Sequence, residues 1–180
     1  MTTPCIGLGD ETARISVYIE NRPAFMNLSG LDHCQPVLEG EIHAIGQACG
    51  NGWRKVFNVY AKLLFALPTD SFRFRQQAST WQEYRDHCLL HAGSDTALLF
   101  TPPQLYADER RWHIIMGRTY AKRLVSLKQL NIPLTWLDKE FAINQEYKLL
   151  VCPYFDYRQL SNIKIERLAK LMISVSGITD

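Results

Sequence analysis

An α/β fold, a single three-layer domain with a small, mainly parallel central sheet flanked by helices, is predicted by the alternation of short apolar runs with helical stripes. Two stretches carry that prediction. The run Arg111-Trp112-His113-Ile114-Ile115-Met116 breaks at Gly117 into the helical pattern Arg118-Thr119-Tyr120-Ala121-Lys122-Arg123-Leu124. The run Tyr147-Lys148-Leu149-Leu150-Val151-Cys152-Pro153-Tyr154 is followed by a polar loop and a helical pattern from Ile163. Each reads as strand, turn, helix, which sets free backbone N–H groups and a positive helix end at the carboxyl edge of a sheet, where open α/β folds place ligands.

The remaining elements follow in order. Arg14 to Glu20 alternates as a strand, with Ile15, Val17 and Ile19 on one side and Tyr18 on the other, and stops at Asn21-Arg22-Pro23. Leu38, Ile42, Ile45 and Cys49 recur at helical spacing before Gly50. The strongest helical stripe is Trp53, Val56, Phe57, Tyr60, Leu63, Leu64 and Leu67, ended by Pro68. Phe72 to Arg75 alternates as a brief strand, and Thr80-Trp81-Gln82-Glu83 has capping-box spacing for a helix reaching Ala92. Thr96 to Phe100 reads as a short buried strand, Thr119 to Leu130 as a helix, Pro133 to Leu137 as a third apolar run, and Ile163 to Val175 as the last helix.

The 180-residue length suits one domain spanning residues 1–180. Hydrophobic residues at 47% and charged residues at 21% are the balance of a folded chain. A net charge of +2 excludes tight non-specific attraction to nucleic acid or anionic membrane. Locally, Arg110, Arg111, Arg118, Lys122 and Arg123 crowd together, a pattern more often a solvated face than a binding patch. The five cysteines are scattered and build no disulfide framework. Neither a secretion leader nor an apolar run of about 18 residues is present, so a cytoplasmic setting away from membranes is expected. Without a Walker loop, a dinucleotide fingerprint or a Gly-x-Ser-x-Gly elbow, no cofactor is expected.

In a parallel sheet the polar residues after the strands meet on one rim: Glu20, Asn21 and Arg22; Thr101; Gly117, Arg118 and Thr119; and Tyr154, Asp156, Tyr157 and Arg158. The order Glu20-Asn21-Arg22-Pro23 after a strand, Ile114-Ile115-Met116-Gly117 entering a helix, and Leu150-Val151-Cys152-Pro153 before a polar loop resembles the uracil-DNA glycosylase superfamily along almost the whole chain. The resemblance implies that Glu20 positions water or ligand, that Phe25 stacks on a base with Asn27 and Tyr157 assisting recognition, and that Cys152-Pro153-Tyr154 replaces the His-Pro-Ser loop. Glu20 and Cys152 are then the catalytic candidates. A neutral thiol is a weak donor for a departing base, so glycosylase activity is expected to be weak or absent, and the partner is DNA or a nucleobase-containing ligand. Arg118 and Arg158 would meet phosphate.

Other chemistries compete. His87 and His91 would lie one turn apart on a helix, a two-ligand pair that needs a third donor, so no metal site is assigned. Cys152 beside His113 could form an activated thiol, although a buried strand end looks the same. The rival of a different class is a non-enzymatic interaction protein, a homodimer included, joined through Trp81, Phe72 and Phe74.

Overall fold

The computed structural model describes residues 4–106 and 109–177. Its strands are β1 (Gly7–Gly9), β2 (Ile15–Tyr18), β3 (Cys34–Gln35), β4 (Thr96–Leu99), β5 (Trp112–Met116), β6 (Thr135–Trp136), β7 (Ala142–Asn144) and β8 (Leu149–Cys152). Among the described residues they form one sheet in the order β3-β1-β4-β2-β5-β8-β7-β6. The middle strands β4, β2, β5 and β8 are mutually parallel.

The flanks correct the expectation of a mainly parallel sheet to a mixed one. β1 runs antiparallel to β4, β7 to β8, and β6 to β7. Parallel neighbours need a crossover of a dozen or more residues, and the links at 137–141 and 145–148, which join β6 to β7 and β7 to β8, are far too short for that. The chain therefore doubles back at each. In the last of these links the Asn144 side chain accepts from the Tyr147 N–H, and Lys148 takes φ 51°. β1 lies so close to β4 that a Cβ at Gly9 would stand 2.2 Å from the Thr96 carbonyl oxygen.

Strand alternation sorts the core into two faces. Ile15, Val17, Leu98, Ile114, Met116, Leu150 and Cys152 face one side. There they meet α1 (Glu41–Cys49), α2 (Asn51–Ala66), α3 (Trp81–His87) and α5 (Asn162–Ser176). Tyr18, Ala97, Leu99, Ile115, Leu149 and Val151 face the other, against α4 (Arg118–Ser126). The stripe Val56, Phe57, Tyr60, Leu63 and Leu64 makes α2 the deepest helix, and the Tyr60 hydroxyl donates to the Ala97 carbonyl at 2.9 Å. Leu67 is extended ahead of Pro68, as the proline ring requires.

Three local expectations change. α3 stops at His87 instead of reaching Ala92, because the Tyr84 carbonyl accepts from both Cys88 and Leu89 and Leu90 turns to φ 62°. Leu89 and Leu90 are both fully buried, and a helix would point neighbours about 100° apart. Phe72 and Phe74 stack with ring centres 6.0 Å apart inside the core, with a single 3-10 turn where a brief strand was expected. α4 ends at Ser126, short of Leu130. No described helix is long and apolar enough to cross a membrane.

Candidate functional site

The carboxyl edge of the parallel strands opens into a cleft of about 660 Å³ lined by Glu20, Asn21, Gly117, Arg118, Thr119 and Tyr154, with Arg158 and Gln159 further out. Each sits there for a reason of connectivity. Glu20 and Asn21 leave β2, Gly117 leaves β5, and Pro153 and Tyr154 leave β8, so three parallel neighbours deliver their following residues to one place. Gly117 has φ 103°, a left-handed value that glycine accepts freely, and a Cβ there would meet nothing within 4 Å. Its carbonyl accepts from Ala121 as α4 begins, which leaves the first N–H groups of α4 facing the opening.

Charge is distributed unevenly. Glu20 is ion-paired with Arg123 of α4, and the Glu140 carboxylate receives the Lys164 ammonium at 2.8 Å. Both carboxylates of the cleft therefore already have cations, and Arg118, Lys139 and Arg158 add positive charge beyond them. Arg118 is steadied by donating to the Lys139 carbonyl at 3.2 Å. Burial pushes the Tyr154 pKa up, against the opposing pull of the Asn21 side chain, so its hydroxyl enters the cleft as a neutral donor.

The other expected site residues lie elsewhere. Arg22 turns away to donate to the Leu31 carbonyl at 3.1 Å, its guanidinium 5.7 Å from the centre of the Phe100 ring. Phe25 is half-buried against the core, and Asn27 is exposed at the start of a 3-10 turn, its carbonyl accepting from Gly30. Asp156 folds back to accept from the Arg158 N–H and meets Lys55 at 3.4 Å. That backbone bond, then Lys55, holds its pKa below the ordinary carboxylate value. Tyr157 is exposed, its ring between Lys55 and Arg158.

Cys152 is fully buried on the helix-covered face, its Sγ toward the Ile115 carbonyl, and desolvation raises its pKa far above that of a free thiol. The structure does not bring it to the cleft. Nor does it meet His113, which is level with Leu149 on β8 and faces the opposite side of the sheet. His87 and His91 do not share a helix face, since α3 ends at His87; both approach the Glu39 carboxylate, at 2.5 and 3.7 Å. No group of three or more His, Cys, Asp or Glu side chains suited to a metal ion occurs among the described residues.

Sequence reasoning missed Lys139, Glu140 and Lys164, and saw Arg123 as part of a basic cluster and not as the partner of Glu20. Lys139 and Glu140 ride on the β6–β7 turn, which antiparallel pairing returns to the carboxyl edge. Asp138, whose side chain accepts from the N–H groups of Glu140 and Phe141, was the visible mark of that turn.

Fold and cleft together define an α/β protein with a mixed sheet and a cation-rich cleft where three parallel strands end. The chain belongs to a family of unknown function, DUF6942, whose model matches residues 6–173. No curated protein and no solved structure matches it.

Proposed function

We propose that the carboxyl-edge cleft binds a phosphorylated, nucleobase-bearing ligand, a nucleotide or a segment of single-stranded DNA, and that glycosidic cleavage is weak or absent. The observation that carries the reading is the convergence of Arg118, Lys139 and Arg158 on the open start of α4, with both local carboxylates already paired. Fixed cations and free helix N–H groups together favour an anion of phosphate type. The base comes from the likeness of the strand-end motifs to the uracil-DNA glycosylase superfamily. In this reading the stacking surface is Tyr154 rather than Phe25, and Asn21 orients it. Glu20, steered by Arg123, accepts a hydrogen bond from the base or sugar.

The thiol of Cys152 has no place in this chemistry, which supports binding over hydrolysis. Of the aromatic residues named for the protein-contact alternative, Phe72 and Phe74 are in the core, and the half-buried Trp81 ring lies beneath Lys62 and Arg85. Fluorescence anisotropy with labelled single-stranded and uracil-containing oligonucleotides tests the proposal. Arg158→Ala and Glu20→Ala should each weaken binding by about tenfold without unfolding the chain. Wild-type affinity no better than millimolar, or an affinity unchanged from wild type in both variants, would end it.

A further inference from the structure

We propose a second anion site at the amino edge of the sheet, independent of the cleft, that takes a ligand carrying closely spaced phosphate groups. The register aligns the start of β2 with that of β5, and β5 with β8, so the residues just before those strands come together. They are Arg14, Arg110, Arg111 and Lys148, and they line a groove of about 800 Å³. A five-residue strand at about 3.3 Å per residue separates this groove from the cleft. The basic cluster that looked continuous in sequence is thus divided by β5, with Arg110 and Arg111 at one end and Arg118 at the other.

The groove is held in a way that keeps its charge available. The Arg14 guanidinium lies 4.9 Å and the Lys148 ammonium 5.1 Å from the centre of the same Trp112 ring. Arg14 is also 4.6 Å from the Phe72 ring and donates to the Ser71 carbonyl at 3.1 Å. These cations are positioned by aromatic faces and a carbonyl, contacts that fix them without cancelling them. The carboxylate in the lining, Glu109, is engaged by Arg111 at 3.2 Å and by His113 Nε2 at 3.3 Å. Arg110 is exposed at the mouth. Like charges gathered around one indole repel one another, and an anion placed among them turns that repulsion into attraction. Because the cations approach from three chain segments, a tetrahedral phosphate with oxygens in several directions suits them better than a planar carboxylate.

Calorimetric titration of the full chain with tripolyphosphate, an abasic single-stranded deoxyribose-phosphate oligomer and a glutamate peptide tests the site. Arg110→Glu and Lys148→Gln should each weaken tripolyphosphate binding by about fivefold or more, with Arg158→Ala close to wild type. Arg110→Glu carries the test alone if Lys148→Gln perturbs folding, which circular dichroism reports. Equal binding of tripolyphosphate and oligomer supports a small polyphosphate. A tighter oligomer, whose salt slope falls by about one in Arg110→Glu, supports a nucleic acid backbone. Wild-type affinity in both amino-edge variants overturns the proposal. So does a loss that follows Arg158→Ala, which would put the anion in the cleft, or a glutamate peptide bound as tightly as phosphate.

Discussion

The Tyr18 hydroxyl lies 2.7 Å from Nδ1 of His113 across the β2–β5 pairing, with both residues 1% exposed. On the far side of the ring, Nε2 is 3.3 Å from the Glu109 carboxylate. An ionised carboxylate only accepts, so Nε2 carries the proton and Nδ1 accepts from the phenol. The imidazole is neutral and both its nitrogens are satisfied.

A pH dependence follows from this arrangement. Burial holds the His113 pKa below its ordinary value of 6.5, against the opposing pull of Glu109. Above that value the ring is neutral in folded and unfolded chains alike, and the contribution to stability is complete. As pH falls through it the unfolded chain takes up the proton first, and stability declines until the lower folded value is reached. The urea midpoint should drop as pH falls from about 7 through the ordinary histidine value of 6.5 in wild type, and His113→Leu should flatten that decline. A wild-type midpoint unchanged over this range would contradict the assignment. Tyr18→Phe, which strands Nδ1 without a donor, should cost about 1–3 kcal/mol at neutral pH.

Two glycines should respond differently to the same substitution. Gly117→Ala meets open space and pays only for its left-handed backbone, about 1–2 kcal/mol. Gly9→Ala adds a 2.2 Å clash with the Thr96 carbonyl to a φ of 106°, so β1 must leave β4. Urea unfolding should place the Gly9 variant well below the Gly117 variant, and the reverse order would show that β1 is not packed as described.

Cys152 should resist alkylation in the native protein and react only on unfolding, because its thiol is buried and held protonated by desolvation. Peptide mapping after native labelling reads this directly. Cys152→Ala should leave oligonucleotide affinity unchanged while lowering stability through the lost core contact. Rapid native labelling at Cys152 would mean that the strand end opens.

The Glu20–Arg123 pair is exposed on both sides, so its stability is small and salt-screened. Glu20→Gln should change the urea midpoint by less than about 1 kcal/mol equivalent while weakening ligand binding. A large stability loss would mark the pair as structural and remove Glu20 from the cleft chemistry.

Local pattern served well where an element is decided by its own burial. β5 spans Trp112–Met116 and α5 spans Asn162–Ser176, close to the periodicity read from the sequence, because each buries a face against the middle of the sheet. It failed where neighbours decide. The short strands β1, β3 and β7 carry little periodicity of their own and form by pairing with strands already in place. Phe72-Arg73-Phe74 has the alternation of a strand, yet both rings are drawn into the cluster with Trp112 and Tyr84.

The candidate site divides along the same line. Sequence order alone put Glu20, Asn21, Gly117, Arg118, Thr119 and Tyr154 at the ends of strands, and parallel pairing of neighbouring strands is enough to gather strand ends on one rim. Only the folded chain decided that Arg22 turns aside to the Leu31 carbonyl, that Phe25 packs against the core, that Cys152 is sealed under the helices, and that Lys139 and Lys164 complete the positive lining. The reason is physical. Backbone direction at a strand end follows from local pattern, whereas the aim of a side chain, and the antiparallel return that brings in Lys139, depend on contacts between residues far apart in the chain.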